Sequence, residues 1–180
     1  MFVNKRKIYI DLDTRSITKA IKELDRYKAE LRRKTDEYRK RLASELTSIM
    51  EANFRGSLVH TSTTDSRPPE VEVGISNSGD ITVVYARGED AVWVEFGAGV
   101  YYNGSVGSSP NPLAANASTD VTIGSYGLGK GKQQAWGYYQ DPENKTGLTI
   151  TRGTPAQMPM YHAIEAMLSK SVEIAREVFR

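Results

Sequence analysis

The chain has no cysteine in its 180 residues, and only two histidines and two tryptophans. The missing cysteines exclude a disulfide framework and any thiolate metal site, and they fit a reducing compartment. His60 and His162 stand far apart, neither with an i, i+4 partner, so the spacing offers no helical metal pair. No serine lies in a G-x-S-x-G elbow, and without cysteine there is no thiol nucleophile. Apolar runs fall far short of the roughly 20 residues that span a bilayer. The opening MFVNKRKIYID is basic with no apolar segment after it, so no signal peptide is expected. The N-x-Ser/Thr triplets at Asn103, Asn116 and Asn144 are accordingly read as chance matches in polar loops.

What remains is ordinary for a globular domain. Hydrophobic residues make up 39% and charged residues 26%, enough apolar material for a core in one domain over 1–180. The net charge is only +2, but residues 1–60 carry 15 basic and 9 acidic side chains, whereas 61–130 carry 3 and 8. Such polarity suits an acidic partner at one end, or subunits set head to tail, although solvated helix faces are its ordinary source.

Residues 7–12 read as a short strand. Asp13 or Thr14 then caps a helix over about 14–55. Ile17, Ile21, Leu24, Leu31, Tyr38 and Leu42 fall on a heptad-like seam, with Lys28 and Thr35 in the intervening positions. The seam widens through Leu46, Ile49, Met50 and Phe54 into an ordinary amphipathic face. The narrow, charged first half implies a helix that projects from the body, or lies on it with one stripe buried. Gly56 ends the helix, and 60–70 is a polar loop closed by a proline pair. Strands are expected at 71–76, 81–86 and 91–96, joined by turns at 77–80 and 87–90 into an antiparallel meander over 71–97. Residues 98–154 form a long Gly- and aromatic-rich insert: 100–132 is read as a loop, and 134–139 with 148–151 as a hairpin. A second amphipathic helix occupies about 160–179 of the final segment 155–180, with Pro159 in its first turn. The fold class is α+β, with N- and C-terminal helices packed on a small antiparallel sheet that carries a long inserted loop.

Few residues offer chemistry. The segment 124–131, GSYGLGKG, resembles the start of a phosphate loop, but Gly131 stands where a Mg²⁺-binding Ser or Thr is needed and no helix pattern follows. Glu95 could act as a general base in a hydrolase, yet it has no partner acid or histidine nearby in sequence. A strand-edge carboxylate paired with Arg or Lys is the plainer reading. Lys130, Lys132, Trp136, Tyr138 and Tyr139 could stack single-stranded nucleic acid. The runs 32–34 and 39–41 could likewise touch phosphates, though the interposed Asp36 and Glu37 favour a salt-bridged helix face.

Taken in order, several motifs resemble a family of tailed-phage structural proteins, the minor capsid, tail-component or head–tail neck and tail-completion proteins of lambdoid long-tailed phages. The matching features are the charged N-terminal helix, Tyr85-Ala86 leading to Val94-Glu95-Phe96-Gly97, and Trp136-Gly137-Tyr138-Tyr139. Thr151-Arg152-Gly153, Pro155-Ala156 and Pro159-Met160 follow at the start of the last helix. Family members commonly read E-F-G-T and P-A-x-P-F-M. Here the first site ends in Ala98, and the second has one extra residue and methionine for phenylalanine. The resemblance spans about 14–179. It implies a non-enzymatic virion part with no cofactor and no metal, present in the host cytoplasm during assembly and then at the head–tail junction. Its partners would be copies of itself in a ring, connector or adaptor proteins, and the tail terminator or tail tube. Genomic DNA would pass through the ring without sequence-specific binding, and no membrane would be involved. Interface positions implied by the resemblance are Glu95, Phe96, Gly97, Trp136, Tyr138, Pro155 and Pro159. The alternative function is nucleic-acid binding through the basic helix and the aromatic hairpin.

Overall fold

The computed structural model describes residue 11, residues 13–97 and residues 135–180. The strand expected at 7–12, the loop at 100–132 and the glycine-rich 124–131 segment therefore lie outside the described residues, apart from Asp11, which belongs to no element.

Helix α1 spans Thr14–Arg55. Asp13 caps it as expected: its side chain accepts from the backbone N–H groups of Arg15 and Ser16 at 2.8 and 2.9 Å, leaving fewer orphan donors in the first turn. Gly56 closes the other end. Two short strands follow, β1 (Val59–His60) and β2 (Ser66–Arg67), paired antiparallel within the segment expected to be loop. Strands β3 (Glu72–Ser78) and β4 (Ile81–Arg87) form the expected hairpin, closed by Gly79 and Asp80 with Gly79 at φ +55°. Strands β5 (Trp136–Asp141) and β6 (Thr146–Thr151) form a second ribbon, and helix α3 (Pro159–Val178) ends the fold. The class is α+β. In place of one small sheet, the described residues form three separate two-stranded antiparallel sheets.

The third strand of the expected meander is corrected. Ala91–Phe96 is a short helix, α2, and the segment 87–90 leads into it instead of turning a hairpin. Val92, Val94 and Phe96 alternate like a strand and are of β-favouring types. The buried side is nevertheless Ala91, Val94 and Glu95, at i, i+3 and i+4, while Val92 is exposed. Six residues carry too few repeats to separate the two periods, and tertiary contacts decide between them.

The core forms where the last turns of α1, the inner face of the β3–β4 ribbon, α2 and the start of α3 meet. Met50, Phe54, Val94 and Ala163 are buried at its centre, packed round by Leu46, Ile49, Val59, Val71, Val73, Val84, Ala86 and Met160. The widened apolar face at the C-terminal end of α1 is thus the core-facing one. Met50 is 1% exposed, so Met50→Ala is expected to cost about 2–5 kcal/mol through lost transfer energy and a residual cavity. A urea-denaturation midpoint unchanged from wild type would contradict this placement.

Helices α1 and α3 run antiparallel. Asn53 Nδ2 donates to the carbonyl of Pro159 at 2.9 Å, and Tyr38 donates its hydroxyl to the carbonyl of Ser171. Lys170 pairs with Glu45, Arg41 with Glu177, and Lys34 donates to the carbonyl of Arg180. Tyr38 also meets Phe179 edge to face at 5.8 Å. Helix α3 therefore covers α1 from Asn53 back to Lys34. The twenty residues from Thr14 to Arg33, about 30 Å of helix, run past its end.

Candidate functional site

The residues singled out around Glu95 and those around Pro159 are far apart in sequence and adjacent in space. Met158, before α3, takes a left-handed backbone (φ 53°) and makes no side-chain cap, and Pro159 has no N–H. The first free donors of α3 are thus the amides of Met160 and Tyr161. Glu95 accepts both: Met160 N to Oε2 at 2.8 Å and Tyr161 N to Oε1 at 3.1 Å. A carboxylate from α2 performs the task that a local Ser or Asp performs elsewhere, at the end of the helix where negative charge is favoured.

The joint is fastened on several sides. Gln157 N donates to the carbonyl of Val94 at 2.9 Å. The Gln157 side chain brackets Leu58, donating to its carbonyl at 2.6 Å and accepting from its N–H at 2.9 Å. His60 N donates to Thr154 Oγ1 at 3.1 Å, holding β1 against the segment before α3. Gly97 N returns to the carbonyl of Trp93 at 2.8 Å with φ +82°, closing α2. Phe96 and Pro155 are half-buried, and Gly97 and Pro159 buried, in the same neighbourhood.

A second clasp sits at the start of α2. Asp90, 5% exposed, accepts from Arg67 Nη1 and Nη2 at 2.6 and 3.1 Å and from the backbone N–H of Glu70 at 2.7 Å. This two-pronged contact, with the carboxylates of Glu70 and Glu89 nearby, raises the Arg67 guanidinium above its already high value. Neither Asp90 nor Arg67 was legible as a site in sequence, because a separation of 23 residues follows no period.

Trp136 and Tyr138 lie elsewhere, on β5. Trp136 registers with Thr151 and Tyr138 with Thr149. The Tyr138 hydroxyl donates to the carbonyl of Thr61 at 3.1 Å, and Thr63 N donates to the carbonyl of Ile150 at 2.9 Å. The hairpin is thereby tied to the β1–β2 loop. Thr151, buried, lies 3.5 Å by its hydroxyl from the carbonyl of His60, so the ribbon leads back to the joint. The opposite face of the ribbon shows Tyr139, Leu148 and Ile150 to solvent.

The turn of that ribbon is built by Asp141. Its Oδ1 accepts from the backbone N–H groups of Glu143 and Asn144, both at 3.1 Å, and Oδ2 accepts from Asn144 Nδ2 at 2.7 Å. The Asn144 side chain foremost, then the two amides, holds the Asp141 carboxyl below its ordinary range. A depressed carboxyl contributes fully above its unfolded value, roughly pH 4, and loses that contribution as pH falls through its folded value. Protection of the Glu143 and Asn144 amides is expected to persist down to that range and to fall below it. Protection unaltered by Asp141→Ala would contradict the assignment.

Both carboxylate oxygens of Glu95 are engaged by backbone donors, on a helix and not at a strand edge as the sequence had suggested. His162 is half-exposed and lies 3.1 Å by Nδ1 from Glu165. Glu165 also bonds Tyr161 and raises its phenol above the usual range. Among the described residues no group of three or more His, Cys, Asp or Glu is placed to hold a metal ion, and no helix is long and apolar enough to cross a membrane. The basic runs of α1 are largely engaged, along the helix by Arg33 with Glu37, Lys34 with Glu30, Arg39 with Asp36 and Arg41 with Glu37, and across to α3 by Arg41 with Glu177. No family model, no curated protein and no solved structure matches the chain.

Proposed function

We propose that this chain is a structural protomer of a tailed-phage head–tail junction. It assembles into a ring that joins the connector to the tail and lets DNA pass, with no reaction of its own. The observation that supports this best is the Glu95 joint. The two halves of the motif set that resembles the tail-completion family, 94–97 and 155–160, bond to one another at 2.8 and 3.1 Å. A shared architecture gives those motifs a physical reason to occur together, and a carboxylate spent on a helix end is in keeping with a framework role. The overrun of α1, with its apolar seam half-exposed, supplies a surface of the sort that subunits bury on assembly.

The test is joining in vitro. DNA-filled heads and tails, prepared from the encoding genome with this chain absent, are mixed with the purified protein. Tailed, infectious particles are expected to appear only when it is added. Heads and tails that join equally well without it would overturn the reading. Salt-sensitive binding of naked DNA in a gel shift, with no effect on joining, would favour the nucleic-acid alternative.

A further inference from the structure

On the first half of α1, Ile17, Ile21, Leu24 and Leu31 form a seam about 21 Å long, each 43–54% exposed. The same seam is covered by α3 farther along, at Tyr38. A second apolar surface lies at the other end of the pair: a groove of about 360 Å³ between α1, β4 and α3. Leu42, Leu46 and Val84 line it on one side, and Ile164, Met167 and Leu168 on the other. Val172 carries the α3 side one turn further, and Leu168 is 68% exposed, the most of any large apolar residue among those described.

These two surfaces cannot meet within one chain. Leu168 lies close to Lys170, which is paired with Glu45, and Ile21 is 24 residues from Glu45 along an unbroken helix, or about 36 Å. We propose that they meet between copies: the seam Ile17–Ile21–Leu24–Leu31 of one protomer seats in the α1–β4–α3 groove of the next. Anchors at i, i+4 and i+7 on one helix face are the pattern that a groove between elements accepts.

Charge selects this contact over its rival. Residues 14–33 carry seven basic and three acidic side chains, so two such segments pairing with each other would bring like charge together. The groove wall carries a single charge, that of Arg39, so the basic segment meets no such array of like charge there. Arg39 itself is held by Asp36. A contact between unlike surfaces repeats from copy to copy and either closes into a ring or runs on as a filament. Closure into a ring rests on the function proposed above, whereas the contact stands on the two surfaces.

The absence of native cysteine makes the test clean. Ile21→Cys and Leu168→Cys, both at exposed positions, are prepared separately, mixed and mildly oxidised. Glu143→Cys, in the turn of the β5–β6 ribbon, replaces the second partner as control. Disulfide-linked dimer is expected to form at least tenfold faster in the first mixture than in the control. Equal rates would overturn the contact, as would faster linkage of Ile21→Cys to itself, which would mean that seams pair with seams. The chain carrying both substitutions separates this inference from the function reading. A linked species of one fixed copy number agrees with both, and an open ladder keeps the contact but contradicts the ring. Absent linkage in a protein that still joins heads to tails overturns the contact alone.

Discussion

Glu95→Ala is expected to lower the stability of the fold by about 3 kcal/mol or more, because two charge-assisted hydrogen bonds to the start of α3 are lost together. The amides of Met160 and Tyr161 would be left half-buried without their acceptor, and the preceding residues have nothing to replace it: Met158 makes no cap and Pro159 no donor. Glu95→Gln should recover less than half of the loss. The amide keeps one acceptor oxygen but sets an NH₂ group against a backbone N–H. The readouts are the denaturant midpoint and the exchange rates of the two amides, which should rise before global unfolding. If Glu95→Ala unfolds at the wild-type midpoint with both amides still protected, the joint is not where α3 is fastened.

Gly88→Ala is expected to be more damaging still, at least about 4 kcal/mol or outright failure to fold. Gly88 has φ +140°, which side-chain-bearing residues rarely adopt, and a Cβ there would stand 2.0 Å from the carbonyl oxygen of Glu70. The neighbouring backbone cannot yield cheaply, since Glu70 N is held by the buried Asp90 at 2.7 Å and Asp90 also anchors Arg67. Gly79→Ala is the matched control. Its φ is +55°, but nothing lies within 4 Å of the added carbon, so only the backbone penalty of about 1–2 kcal/mol applies. Thermal unfolding of the two variants side by side separates strain from collision. Equal losses would mean that the collision is relieved by movement of the 70–88 crossing.

Much of this architecture was legible because it is local. The Asp13 cap, the Gly56 stop, the hairpin across Gly79-Asp80 and the last helix begun by Pro159 all rest on residues whose backbone preference and neighbours agree. The α2 segment failed for the opposite reason. Val92, Val94 and Phe96 favour a strand, and only the fact that Glu95 belongs to the buried side restores a helical period. A carboxylate is not ordinarily counted as a core position, and its partners lie 65 and 66 residues later. The signals that could have found α2 are its flanks, with Asp90 at the N-cap position and Gly97 at the close. The β1–β2 pair escaped because two residues per strand leave no pattern to read. The site residues divide in the same way. Glu95, Phe96, Gly97, Pro155 and Pro159 gather at one joint, whereas Trp136 and Tyr138 belong to a ribbon that reaches it through Thr61 and Thr151.

Glu95 therefore changes meaning between sequence and structure. As one carboxylate before a glycine turn it invites a catalytic reading. With both oxygens on the amides of α3, it fastens to α2 the start of the helix that lines one side of the groove. The most direct measurement of whether that framework serves assembly is the mass distribution of the full chain by native mass spectrometry, across a concentration series and with purified connector and tail proteins added. One closed species is expected, its mass a fixed multiple of the 20.0 kDa protomer, and it should be lost in Leu168→Asp. A protein that stays at 20.0 kDa at every concentration and beside every partner would contradict the account.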